Sequence, residues 1–145
     1  MSTFWRSWLL VWCVGVFVFG LVLAGGAFEA TSGPVRMIYE SLRGPGDLVL
    51  DPAMRFTLAV MGCVSLGWAV TMFLMMRVAF SLGERARPVW VGLTLGVLVW
   101  FVTDSTLSVA TGYGLNVVPN TLLLSTYLIA VFASGALKQT GAPDG

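Results

Sequence analysis

Between Pro88 and Leu137 the chain carries one charged residue, Asp104. It stands in the stretch WFVTDSTLSVATGYGLNVVPNT, where hydroxyls and amides gather. Ser108 lies four residues beyond Asp104, one helical turn along the same face, and Thr111 follows. Asn116 and Asn120 repeat the four-residue spacing, and Tyr127 lies two turns further on. A carboxyl among such groups can hydrogen-bond across helices and fix their register. Alternatively, it can hold a proton, a cation or a small solute in a transporter or channel. Catalysis has little to work with. The chain has no histidine, which removes the Ser-His nucleophile, haem ligation by histidine and the usual zinc ligand sets. Cys13 and Cys63 are single and read as small apolar residues. Met72, Met75 and Met76 read as gap-filling side chains on one helical face. No phosphate-binding loop or catalytic signature appears. The expectation is a non-enzymatic protein with no cofactor and no metal.

The elements that must position this cluster follow from composition. Of 145 residues, 57% are hydrophobic and only 10% charged, with a mean hydropathy of +0.88. A soluble domain carries about 25% charge, so lipid is the expected solvent for most of the chain. A net charge of +1 supplies no field for nucleic acid. A helix needs roughly 20 apolar residues to cross about 30 Å of hydrocarbon. Four segments qualify, at about residues 4–28, 53–80, 88–110 and 117–137. Each must be helical, because lipid offers no partner to a free backbone group. The fold expected is therefore all-α, a left-handed bundle of four transmembrane helices forming a single membrane domain over residues 1–145. The first segment is expected to remain as a span, because its apolar stretch exceeds the 7–15 residues of a signal core.

Basic residues give the orientation. With four spans both ends share one side, which carries Arg6, Arg77, Arg85, Arg87 and Lys138. The opposite side carries Arg36, Arg43 and Arg55. Both termini, Ser2 and Gly145, are therefore expected in the cytoplasm and Gly44 outside. Trp5, Trp8 and Trp90 are expected at the inner interface and Tyr113 at the outer one. The arginines of the turn SLGERARP read as topology signals, since a lipid head-group site usually needs 4–8 basic residues.

The first loop contains SGPVRMIYESLRGPG, which reads as a short amphipathic helix. Pro34 suits its start, Ser32 its cap and Gly44 its stop. Val35, Ile38, Tyr39 and Leu42 fall on one side, with Arg36, Glu40 and Arg43 on the other. Such a helix is expected to pack over the bundle or lie on the outer membrane surface. Gly15 and Gly20, then Ala59, Cys63 and Gly67, then Gly92 and Gly96, are small-residue stripes expected to serve close packing within the bundle.

In this frame the third and fourth helices are antiparallel neighbours, and their polar faces meet: Asp104, Ser108 and Thr111 opposite Asn116 and Asn120. Asn116 is expected to cap the fourth helix. Tyr127 is expected to point its hydroxyl toward Asp104, and Arg55 is the one cation placed to reach it. An ionised aspartate at this depth costs about 2.5–3.5 kcal/mol. A neutral carboxyl paired within the third and fourth helices is expected over an ion pair with Arg55.

The stretch WFVTDSTLSVATGYGLNVVPNTLLL, following a span that begins DPAMRFTLAVMGCVSLGWAV, resembles small four-helix bacterial membrane proteins of uncharacterised function. The resemblance covers about three quarters of the chain. It implies a bacterial inner-membrane protein with Asp104, Asn116 and Asn120 at recurring polar positions, and it implies no substrate. Small multidrug transporters, by contrast, carry a glutamate in their first helix, where this chain has no acid. The arginine-containing, glycine-rich motif of fluoride channels is also missing. Expected partners are the bilayer itself and a second copy of the chain or another membrane protein.

Overall fold

The computed structural model describes residues 1–43 and 48–138. Within them the chain is helical, with no strand. Five α-helices follow in order: α1 (Thr3–Gly25), α2 (Gly33–Arg43), α3 (Pro52–Leu82), α4 (Arg87–Ala110) and α5 (Val117–Ala133). Three uninterrupted helical stretches are long and apolar enough to cross a membrane, at Thr3–Gly25, Pro52–Ala110 and Gly114–Ala133. The count is three rather than the expected four because the α3–α4 connection is itself a turn of 3-10 helix, Gly83–Ala86. The chain nevertheless reverses there. Phe80 stacks near Trp90 and Trp68 near Trp100, each pair with ring centroids 5.7 Å apart. Contacts that pair falling numbers with rising ones belong to antiparallel neighbours. Gly83 adopts φ +58°, a conformation glycine reaches without strain.

The four long helices form a ring in which each touches two neighbours: α1 packs on α3 and α5, and α4 packs on α3 and α5. The α1–α3 seam is the tightest. Buried α3 positions fall at Leu58, Gly62, Ala69, Met72, Met76 and Ala79, with half-buried Ser65 completing an alternation of four and three residues. On α1 the buried positions Leu9, Cys13, Val16, Gly20 and Leu23 repeat that alternation. This is the spacing of left-handed, coiled-coil-like packing. At Gly62 and Gly20 the two backbones come within contact of one another. The stripe of Ala59, Cys63 and Gly67 lies beside this seam rather than in it. Gly15, Gly67, Gly92 and Gly96 face open space, so these expected packing positions are not used between the helices.

One continuous apolar core joins all four long helices around Trp12, Met76, Trp90, Val97 and Tyr127. Met72 and Met76 are buried in it while Met75 faces outward, so the three methionines do not share one environment. Trp90 is a core residue, only 3% exposed. α5 is fastened to α1 by two indoles. Trp8 Nε1 donates to the Thr126 carbonyl at 3.0 Å and Trp12 Nε1 to the Leu123 carbonyl at 2.9 Å. Cys13 lies 3.6 Å from the Met76 sulfur, and Cys63 is exposed, so the two cysteines do not meet.

α2 covers one end of the ring. Val35 is fully buried with Leu23, Leu50 and Leu58, and Tyr39 packs against that cluster. Ser32 does not cap the helix in the expected way. Its hydroxyl donates back to the Glu29 carbonyl at 3.0 Å and accepts from Arg36 Nε. Gly44, the expected stop, and Gly145 lie outside the described residues. α3 begins on an unforeseen cap, with Asp51 Oδ1 accepting from the Met54 N–H at 2.7 Å and Pro52 in the first turn.

Glu29 ties this end together. Its carboxylate accepts from Arg55 and, at 3.3 Å, from Arg36. Arg36 also donates to the Leu48 carbonyl, and Arg55 to the carbonyls of Leu50 and Gly26. The Arg55 hydrogen bond, and then the two positive charges, hold the Glu29 carboxyl below its ordinary range. A depressed carboxylate stabilises the fold above its unfolded value, about 4.3, and the contribution fades as pH falls through the lower folded value. Proteolytic resistance of residues 26–50 should therefore stay level from neutral pH to about pH 5 and drop in more acid solution. Arg55→Gln should lower resistance at neutral pH and flatten that drop. An unchanged acid profile in Arg55→Gln would remove the network from the account.

Candidate functional site

The polar cluster is built by the end of α4 and the start of α5. α4 stops in a defined way. Gly112, at φ +86°, donates to the Val109 carbonyl, and Tyr113 donates to the Ser108 carbonyl at 2.8 Å. That pair of bonds is a Schellman motif, for which a glycine in the left-handed region is the usual solution. The 3-10 turn Gly114–Asn116 then leads into α5. This reversal sets the last two turns of α4 beside the first of α5.

Asp104 Oδ2 accepts from two amides, Asn116 Nδ2 at 3.0 Å and Asn120 Nδ2 at a still shorter distance. Asn116 Nδ2 also reaches Ser108 Oγ at 3.0 Å, and Asn120 Nδ2 reaches Ser105 Oγ at 3.2 Å. Four hydrogen bonds thus join α4 to the cap and first turn of α5. Ser105, Ser108 and Asn120 are buried, while Asp104 and Asn116 are half-buried at the rim. Among the described residues no buried side-chain nitrogen or oxygen lacks a partner.

Of the sequence-predicted residues, Asp104, Ser108, Asn116 and Asn120 come together. Asn116 stands at the cap position of α5 but makes no capping bond, because its side chain is turned sideways to Asp104 and Ser108. Thr111, Tyr127 and Arg55 lie elsewhere. The Thr111 hydroxyl donates to carbonyls of its own helix, Leu107 and Ser108. Tyr127 shares a hydrogen bond with Thr94 at 3.2 Å and packs on Trp12 with ring centroids 5.5 Å apart. A rise of about 10 Å separates Tyr127 from Asn120, more than a tyrosine side chain spans. Arg55 is engaged at Glu29 and neighbouring carbonyls. Ser105 was missed. The signal for it was present, since a residue next to Asp104 and three before Ser108 lies on the flank of the same face.

Beside the clasp a crevice of about 490 Å³ opens between the α1–α3 and α4–α5 pairs. Trp68 and Trp100 wall it, Gly15 and Gly96 leave it room, and Asn120 brings the polar cluster to its edge. No group of three potential metal-ligating side chains occurs among the described residues. The cluster's chemistry is that of a carboxyl oxygen met by amide donors. Compared with known proteins, the chain matches no family model, no curated protein and no solved structure.

Proposed function

We propose that the chain is a non-enzymatic, multi-pass membrane protein whose polar clasp organises its own bundle or an interface with a membrane partner. One observation carries this reading. A single carboxyl oxygen receives both asparagine amides, and each amide also touches a serine of α4. The amide N–H donors of Asn116 and Asn120 are all directed at α4 side chains. Four crossings follow from length, since the 59 residues of Pro52–Ala110 would run for almost 90 Å as one rod, three times a bilayer core. The reversal at Gly83–Ala86 supports dividing them into two spans. The five-to-three basic bias supports cytoplasmic ends, and the bacterial inner membrane is the setting that the sequence resemblance suggests.

The alternative is a small transporter or channel for protons, cations or a small solute through Asp104, and liposome flux separates the two. Purified protein in proteoliposomes is expected to pass protons and monovalent cations no faster than empty liposomes do. Flux that is lost in Asp104→Asn would replace the clasp by the transport reading. Orientation has its own test. Glu40→Cys, in a background of Cys13→Ala and Cys63→Ala, is expected to react with an impermeant maleimide on intact cells. Reaction only after lysis would invert the topology.

A further inference from the structure

The end of the bundle opposite the clasp gathers charges that the sequence scatters. Arg6 starts α1, Arg77, Arg85 and Arg87 surround the α3–α4 turn, and Lys138 follows α5. The turn's own arginines fall short of the 4–8 basic residues that mark a head-group site. The fold brings the number at this end to five, of which two, Arg6 and Lys138, line its pocket. Against them stands one carboxylate among the described residues, Glu84.

These ends enclose a pocket of about 430 Å³, lined by Arg6, Lys138 and Glu84 over a floor that includes Phe80 and Trp90. The Arg6 guanidinium sits 5.6 Å over the Phe80 ring. That contact positions the cation without using its N–H donors. Both ion pairs among the described residues lie at Glu29, so none neutralises these five cations. Arg87 Nε donates to the Leu137 carbonyl at 3.2 Å, which fixes the segment leading to Lys138 beside the start of α4. The pocket therefore combines positioned cations, aromatic floor and volume.

We infer that this pocket binds a phosphate group presented by the headgroup of an anionic phospholipid. The inference rests on the proposed membrane-spanning arrangement, which puts this end of the bundle at headgroup level. Basic pockets between transmembrane helices on the cytoplasmic side are suited to such headgroups. Exposed apolar side chains on the outward faces of α1 and α3 near this end, among them Phe4, Val78 and Leu82, offer a surface along which the acyl chains would lie. A soluble phosphate compound would share the headgroup's charge but gain nothing from that surface.

The test uses the full chain in detergent micelles, titrated with phosphatidylglycerol, phosphatidylcholine or inorganic phosphate and read by native mass spectrometry. Phosphatidylglycerol is expected to bind at least tenfold more tightly than phosphatidylcholine. One basic residue near an anionic surface is worth about fivefold, so Arg6→Gln with Lys138→Gln should weaken phosphatidylglycerol about 25-fold. Arg43→Gln, at the opposite end, should leave it unchanged. Glu84→Gln, at an exposed position, should tighten it, which provides a readout if the double variant fails to fold. Equal binding of the two lipids, or no response to either pocket variant, overturns the inference. Displacement of phosphatidylglycerol by millimolar inorganic phosphate overturns the lipid source and assigns the pocket to a soluble phosphate compound. If the chain stays soluble after membranes are sedimented, the membrane reading itself fails, and the inorganic phosphate arm then reports on the pocket alone.

Discussion

Gly62→Leu is expected to separate α1 from α3 and lower the stability of the detergent-solubilised protein by about 1–3 kcal/mol or more, the range for overpacked cores. A side chain there has nowhere to go. Even a β-carbon at Gly62 would lie 2.7 Å from both Cα and Cβ of Ala24 and closer still to its backbone nitrogen. The obstacle is backbone, so no rotamer change relieves it and the helices must move apart. Gly62→Ala should show a smaller loss in the same direction. Gly67→Ala and Gly92→Ala meet nothing within 4 Å. They should melt at or above the parent, since alanine is favoured over glycine in a helix by about 1 kcal/mol. Thermal melting followed by tryptophan fluorescence measures all four. A Gly62→Leu protein that melts with the parent would mean that α1 and α3 do not pack as described.

Asp104→Leu is the second large effect. It strips the acceptor from Asn116 and Asn120, and Asn120 is only 6% exposed. Hydrogen bonds between membrane helices average about 0.6 kcal/mol, and an orphaned buried donor adds its own desolvation cost, so a loss of about 1–2 kcal/mol is expected. Asp104→Asn keeps an acceptor oxygen and should lose less. Pairing Asp104→Leu with Asn120→Leu removes donor and acceptor together, and part of the stability should return. That non-additivity is the signature of a clasp. Strict additivity in this double-mutant cycle would mean that the two residues contribute independently.

The positions of the long helices were legible because each is bounded by a change from apolar to charged or glycine-rich sequence. The Asp104–Asn120 meeting was legible too, because the four-residue spacings fix a face and the short connection fixes the partner. The expected ends at residues 28 and 137 run past the observed Gly25 and Ala133. Hydropathy continues through Gly135, but its φ of +71° turns the backbone out of the helix. Which face of each helix meets a neighbour was not legible. A helix apolar all round has almost no periodic signal, so the Gly92–Gly96 stripe was singled out while the buried Gly62 was passed over. Arg55 was misplaced for another reason. Its partner Glu29 lies across a loop whose path no local pattern dictates.

The indoles of Trp8 and Trp12 have a consequence for biogenesis. The ring is closed by its last-made member, because α5 supplies the carbonyls that α1 waits for and, with the turn before it, the amides that Asp104 waits for. A chain interrupted before Asn116 would hold two indole N–H groups and the Asp104 carboxyl without the partners they have in the closed ring.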